Sequence, residues 1–232
     1  MWSNNLPLRV FAVTFVLLAA PEHGPAHAAQ TQQPHALLSE RVDSYSARGL
    51  RLEDALLRLG AQEGIPLGLE YVSREGVEKP VNADFHGATV GHILERLLAG
   101  RGGYTWEVRG GVLDISQKSV SASKENLLNC VLPEFVIRRC TVADASNALY
   151  MTLNTRLHPE ITGYAGDYNP GDIRNLVGPL NLRNPSVREV LNLLVNADKK
   201  GAWIVRAQPG SLGQLPPGGF WTIIQYQHPP KE

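Results

Sequence analysis

FHGATVGHILERLLAGRGGYTWEVRGGVLDI, residues 85–115, is the stretch whose reading decides the fold. Thr89 is placed to cap a helix, because its hydroxyl can accept from an orphan N–H of the first turn. Val90, Ile93, Leu94, Leu97 and Leu98 then recur at helical spacing and make one apolar stripe. Gly100, Gly102 and Gly103 end that helix, since glycine enters the left-handed turn without steric cost. Gly110-Gly111 closes a two-residue hairpin. It sets Val108 opposite Leu113 and Trp106 opposite Ile115, sharing one apolar face. Glu107 and Asp114 then oppose each other on the outer side, where water screens their repulsion. The expected unit is a helix laid on a hairpin, an assembly module with no evident chemistry.

Upstream, residues 42–48 alternate as a short strand. A helix follows from Leu52, with Leu52, Ala55, Leu56 and Leu59 on its apolar face, Glu53 and Asp54 in its first turn and Gly64 as terminator. Leu67, Leu69 and Tyr71 recur at period two, as do Val81, Ala83 and Phe85, giving two more strands. Residues 117–126 are small and polar, a linker. Beyond them the plan returns. Thr89-Val90-x-x-Ile93-Leu94-x-x-Leu97 reappears 97 residues on as Ser186-Val187-x-x-Val190-Leu191-x-x-Leu194, with Ser186 and Glu189 in capping-box positions. At the same shift Trp106, Val108 and Arg109 become Trp203, Val205 and Arg206. Leu52-x-x-Ala55 returns as Val142-x-x-Ala145 at a shift of 90, so an insertion near 164–175 separates the two helices of the second copy. A repeat of this size is a tandem domain.

The expected class is therefore α+β: two tandem small domains, each with two helices packed against short mixed β-sheets in the order β-α-β-β-α-β-β. The division is a signal peptide at 1–28, a disordered lead-in at 29–41, a first domain at 42–116, the linker at 117–126, a second, divergent domain at 127–227 and a tail at 228–232. The signal reading rests on Arg9, an apolar run over 10–20 and the small-x-small Ala26-His27-Ala28. That run has about 11 residues against the roughly 20 a membrane-spanning helix needs, so export, cleavage near Ala28 and a mature chain without a transmembrane span are expected.

Lys plus Arg and Asp plus Glu number 22 each, so no global field favours nucleic acid or an anionic membrane. The two cysteines, Cys130 and Cys140, are the candidate disulfide. In an oxidising compartment they can bridge antiparallel strands turned at Pro133-Glu134, the alternative being two thiols packed as small hydrophobes. His86, His92 and Asp84 are close in sequence, but solvated histidines outweigh a metal site, which takes three or four ligands. Asp167-x-Asn169-x-Gly171-Asp172 departs from a calcium loop and reads as a turn. Neither a glycine-rich phosphate cradle nor a G-x-S-x-G elbow is present. Glu95 beside Arg96, and Glu189 beside Arg188, look like solvated helix faces. Trp106, Trp203 and Trp221 read as core.

Leu52-x-x-Ala55-Leu56, the Phe85 to Leu98 block, Tyr104-x-Trp106 and Val112-Leu113-Asp114-Ile115 resemble the secretin and TonB short N-terminal domain. The likeness covers about residues 42–116 well and 127–227 loosely. It implies a periplasmic or cell-envelope α+β module that contacts proteins and has no catalytic role. Members of that family usually continue into a large β-barrel or secretin domain. No run of barrel strands is left over before Glu232, so pore formation is not carried over. The expected function is a non-enzymatic, exported interaction or assembly module with a protein partner, no cofactor, no metal and no small-molecule substrate. The alternatives are a periplasmic signalling module that contacts a membrane-spanning regulator, and an envelope hydrolase with an unrecognised site.

Overall fold

The computed structural model describes residues 34–71, 79–122, 126–153, 176–198, 201–207 and 221–227. The expected signal peptide, the insertion near 164–175 and the tail lie outside them.

Strand β1 (Arg41–Leu50) pairs antiparallel with β3 (Val81–Thr89), from Arg41 opposite Thr89 to Leu50 opposite Val81. Between them in sequence lie helix α2 (Leu52–Glu63) and strand β2 (Leu67–Tyr71). The expected apolar face of α2 is fully buried, and Gly64 ends the helix in the left-handed region at φ 70°. Helix α3 (Val90–Leu98) begins where Thr89 Oγ1 accepts from His92 N at 3.3 Å, and its stripe of Val90, Ile93, Leu94, Leu97 and Leu98 is buried. Strands β4 (Tyr104–Arg109) and β5 (Val112–Gln117) form the hairpin in the expected register, with Trp106 opposite Ile115, Val108 opposite Leu113 and Glu107 opposite Asp114. Its turn glycines, Gly110 and Gly111, both have positive φ, as a primed turn requires.

The stretch expected as lead-in and linker is partly regular. Residues 34–39 form α1 (Pro34–Ser39), because Leu37 and Leu38 have an apolar cluster to pack on. Residues 118–121 form a helical turn, α4 (Lys118–Ser121), and Asn126 is buried, capping a 3-10 turn over Leu127–Asn129 by accepting from Leu128 N at 2.9 Å.

In the second segment, β6 (Glu134–Ile137) pairs antiparallel with β9 (Leu180–Arg183), and β7 (Cys140–Thr141) with β8 (Leu176–Val177). Helix α5 (Val142–Thr152) is capped by Thr141, whose hydroxyl accepts from Asp144 N at 3.1 Å. Helix α6 (Val187–Asp198) has the expected capping box: Ser186 N donates to Glu189 Oε2 at 2.6 Å, and Glu189 N to Ser186 Oγ at 3.2 Å. Strands β10 (Gly201–Ala207) and β11 (Trp221–Gln227) close the order. The class is mixed α+β, several small sheets with helices packed on them, and no closed barrel among the described residues. None of the described helices is long and apolar enough to cross a membrane.

The segment boundary at 117–126 does not fall at a break in the sheet. β10 lies parallel to β2, which lies parallel to β5, so one five-stranded sheet runs β11-β10-β2-β5-β4 through both segments. Strand alternation divides its side chains between two clusters. Leu67, Leu69, Leu113, Ile115, Ala202 and Ile204 join the cluster of α2 and α3. Val112, Trp203 and Val205 join that of α5 and α6. Only half the hairpin's outer pair is therefore outer. Glu107 is half-exposed at the sheet edge, whereas Asp114 is 1% exposed, because the second segment covers β5 on the face that a lone hairpin would leave to water.

Gly68 on β2 stands opposite Trp203 on β10, and a Cβ there would run into the indole ring. Gly68→Ala is expected to destabilise by about 1–3 kcal/mol through overpacking. Combining it with Trp203→Leu should cost less than the two changes added, since they share one space. Urea unfolding of the four proteins measures this, and strict additivity would refute the contact.

Candidate functional site: a buried charge cluster and the cleft beside it

Arg188 sits at the second residue of α6 and faces the sheet. Its Nη1 donates to both oxygens of Asp114 at 2.8 Å, and its Nη2 to Glu70 Oε2 at 2.7 Å. Glu70 lies on β2 and Asp114 on β5, strands that pair side by side, so the two carboxylates share the face under α6. Glu70 Oε1 accepts from Asn126 Nδ2, which also donates to Val120 O at 3.1 Å. All four residues are 3% exposed or less. The guanidinium carbon lies 5.8 Å from the Trp203 ring centroid, over its face. Arg188 Nε is buried without a hydrogen-bond partner among the described residues. A second cation, Arg109, stands 3.8 Å from Asp114 and pairs with Glu107.

Burial pushes the Glu70 and Asp114 carboxyls above their ordinary range, and the Arg188 charge pulls back only part of that. For Arg188, burial disfavours the charge, but the two carboxylates more than offset it and leave its pKa above the usual value. The expectation of a solvated face around Arg188 and Glu189 is corrected for Arg188. It is true of Glu189, which turns to the helix end.

Beside the cluster opens a cavity of about 710 Å³. One wall is α6, which presents Arg188, Asn192 and Asn196, four residues apart and so on one helix face. Asn192 Oδ1 accepts from Trp203 Nε1 at 2.7 Å, and its Nδ2 donates to Arg109 O at 3.3 Å. Asn196 Nδ2 donates to Gly110 O. The helix thereby holds the β4–β5 turn that forms one end of the cavity. The other wall is β9 and the turn after it, where Asn184 takes φ 51°, a conformation asparagine tolerates better than most residues.

Other residues singled out in the sequence are placed as follows. Cys130 and Cys140 are free thiols, both half-buried against the second cluster, and burial pushes both thiol pKa values up. The hairpin expected between them is not formed, since β6 pairs with β9 and the Cys140 strand with β8. Asp84 is engaged by Arg48, 2.7 Å from Nη2, and by Ser46 at 2.6 Å. His92 stands edge-on to Phe85, ring centroids 6.1 Å apart. Among the described residues no three His, Cys, Asp or Glu side chains are grouped to hold a metal. Trp203 is fully buried and Trp106 packs on the first cluster. Residues 167–172 lie outside the described residues. Sequence reasoning missed Glu70, Asp114, Arg188 and the asparagines of α6. The signal was present for Asp114, which is flanked by apolar residues of both strand faces in Val112-Leu113-Asp114-Ile115. No family model, curated protein or solved structure matches this chain.

Removing one partner from a buried ion cluster leaves an uncompensated charge, so Arg188→Met should destabilise by about 3–5 kcal/mol near neutral pH. Without the guanidinium the folded-state carboxyl pKa values rise further above their unfolded values. A raised carboxyl contributes fully below its unfolded pKa, and its contribution is lost as pH rises through the folded value. The gap between wild type and variant should therefore narrow as pH is lowered through the carboxylate range. Denaturant midpoints across pH measure it, and a gap independent of pH would contradict the assignment.

Proposed function

We propose that this chain is a non-enzymatic protein-interaction module of the cell envelope, exported by its N-terminal segment and working in the periplasm. The likeness of residues 42–116 to the secretin and TonB short N-terminal domain supports this reading. So does the element order of the first segment, strand-helix-strand-strand-helix-strand-strand, which the second follows with one further strand before its first helix. The observation that carries it is a sheet edge with no further strand on it among the described residues. β4 stands at one end of the five strands with β5 as its strand neighbour, and it offers main-chain groups along six residues. An edge of that kind is a template for a strand from another chain.

A photo-cross-linking amino acid placed in intact cells at Thr105 on β4, at Asn181 on β9 and at Glu95 on α3 tests this. All three positions are exposed. A discrete adduct with an envelope protein is expected from one of the strand positions and none from α3. No adduct from any position, or turnover of ester, glycan or peptide substrates by the purified protein, would overturn the reading.

A further inference from the structure

The cavity beside the charge cluster has the form of a groove between a strand edge and a helix face. Asn181, Leu182 and Arg183 are successive residues of β9, and all three line it. A strand that showed the groove one of its faces would contribute alternate residues, so β9 shows its edge. Its other side is taken by β6, and that ladder continues through the bridge between Val131 and Ser186. In the small sheet β9 has β6 as its strand neighbour, so alternate main-chain groups of β9 point to the groove side.

The facing wall suits the same occupant. Arg188 to Asn196 spans about 12 Å along α6 at 1.5 Å per residue, and Leu180 to Arg183 about 10 Å along β9 at 3.3 Å each. An asparagine amide carries two N–H donors and a carbonyl with two lone pairs. Asn192 and Asn196 each use one donor on the β4–β5 turn and keep another. Asn181 and Asn184 add two further amides on the β9 wall. Donors and acceptors so interleaved match the alternating N–H and C=O of a polypeptide. An anion at the helix end is disfavoured, because Glu189 already lies there. Arg183 is exposed, lines the groove and forms no ion pair with a described residue, Glu134 standing opposite it on β6, so it offers a positive charge at one place along β9.

We infer that this groove binds an extended peptide segment of a partner protein, which adds as a strand to β9 and places an acidic side chain against Arg183. The inference rests on the interaction reading and names the chemistry of the partner.

The test uses the full mature chain and a phage-displayed library of random linear twelve-residue peptides, with the selected sequences synthesised. Selected peptides are expected to carry an acidic residue and to slow hydrogen exchange of the β9 amides. They should lose at least tenfold in affinity for Leu193→Arg, a half-exposed position on the groove wall. Thr105→Arg at the β4 edge should leave binding within twofold. Selection against Arg183→Glu should invert the preference and return basic residues, a change that a purely structural role for Arg183 does not produce. Failure to select any peptide overturns the inference. So does binding that Leu193→Arg leaves intact, protection at β4 in place of β9, or an unchanged preference against Arg183→Glu. Binding of soluble glycan fragments in the groove, with no peptide bound, overturns it as well. A cross-linked envelope partner at Thr105 together with any of these failures would leave the interaction reading standing and remove only this groove.

Discussion

A guanidinium buried between two carboxylates is the constraint on which the arrangement of this chain depends. Glu70 and Asp114 come from strands of the first segment, and Arg188 from a helix of the second. All three are buried. An isolated charge in such a place costs several kcal/mol after relaxation, and only close pairing offsets it. Once β2 and β5 lie side by side, the first turn of α6 after Ser186 brings Arg188 to where it neutralises the pair. The capping box at Ser186 and Glu189 fixes where α6 begins, and so fixes the height at which Arg188 meets the sheet.

The sheet under that helix is two-faced, and its hydrophobic division follows from the same geometry. On β10, Ala202 and Ile204 enter one cluster while Trp203 and Val205 enter the other. Trp203 needs the absence of a side chain at Gly68 to lie flat across β2, and its N–H is satisfied by Asn192 on α6. Asn192 in turn reaches the carbonyl of Arg109 beside the β4–β5 turn. Hairpin, helix and tryptophan are therefore linked through polar contacts laid over an apolar contact, which makes their relative positions specific.

The groove is a consequence of that linkage. With α6 held down at Arg188 and at the hairpin turn, and β9 leading into it through the Asn184 to Ser186 turn, space is left between helix and strand edge. Amides and arginines make up much of the lining of that space, with Leu182 and Leu193 among them, which suits recognition of a polypeptide. The edges of β4 and β9 bear on the proposal of an interaction module, since among the described residues each has one strand neighbour, and a strand from another chain can complete such an edge.

Much of the local structure was legible in the sequence. The stripe from Val90 to Leu98, the caps at Thr89 and Ser186, and the hairpin register at Gly110-Gly111 all follow from periodicity, side-chain oxygens and positive φ, which act within a few residues. The recurrence of that pattern 97 residues later also identified α6 and β10. Tertiary structure alone decided that β10 would lie against β2, that Asp114 would be buried and that Arg188 would answer it. Those outcomes depend on which surface covers the second face of a strand, and a period-two pattern specifies only that two faces exist. Charge gives no local sign of its burial either, because the partner that makes burial tolerable lies 74 residues away in the chain and is found only when the strands have met.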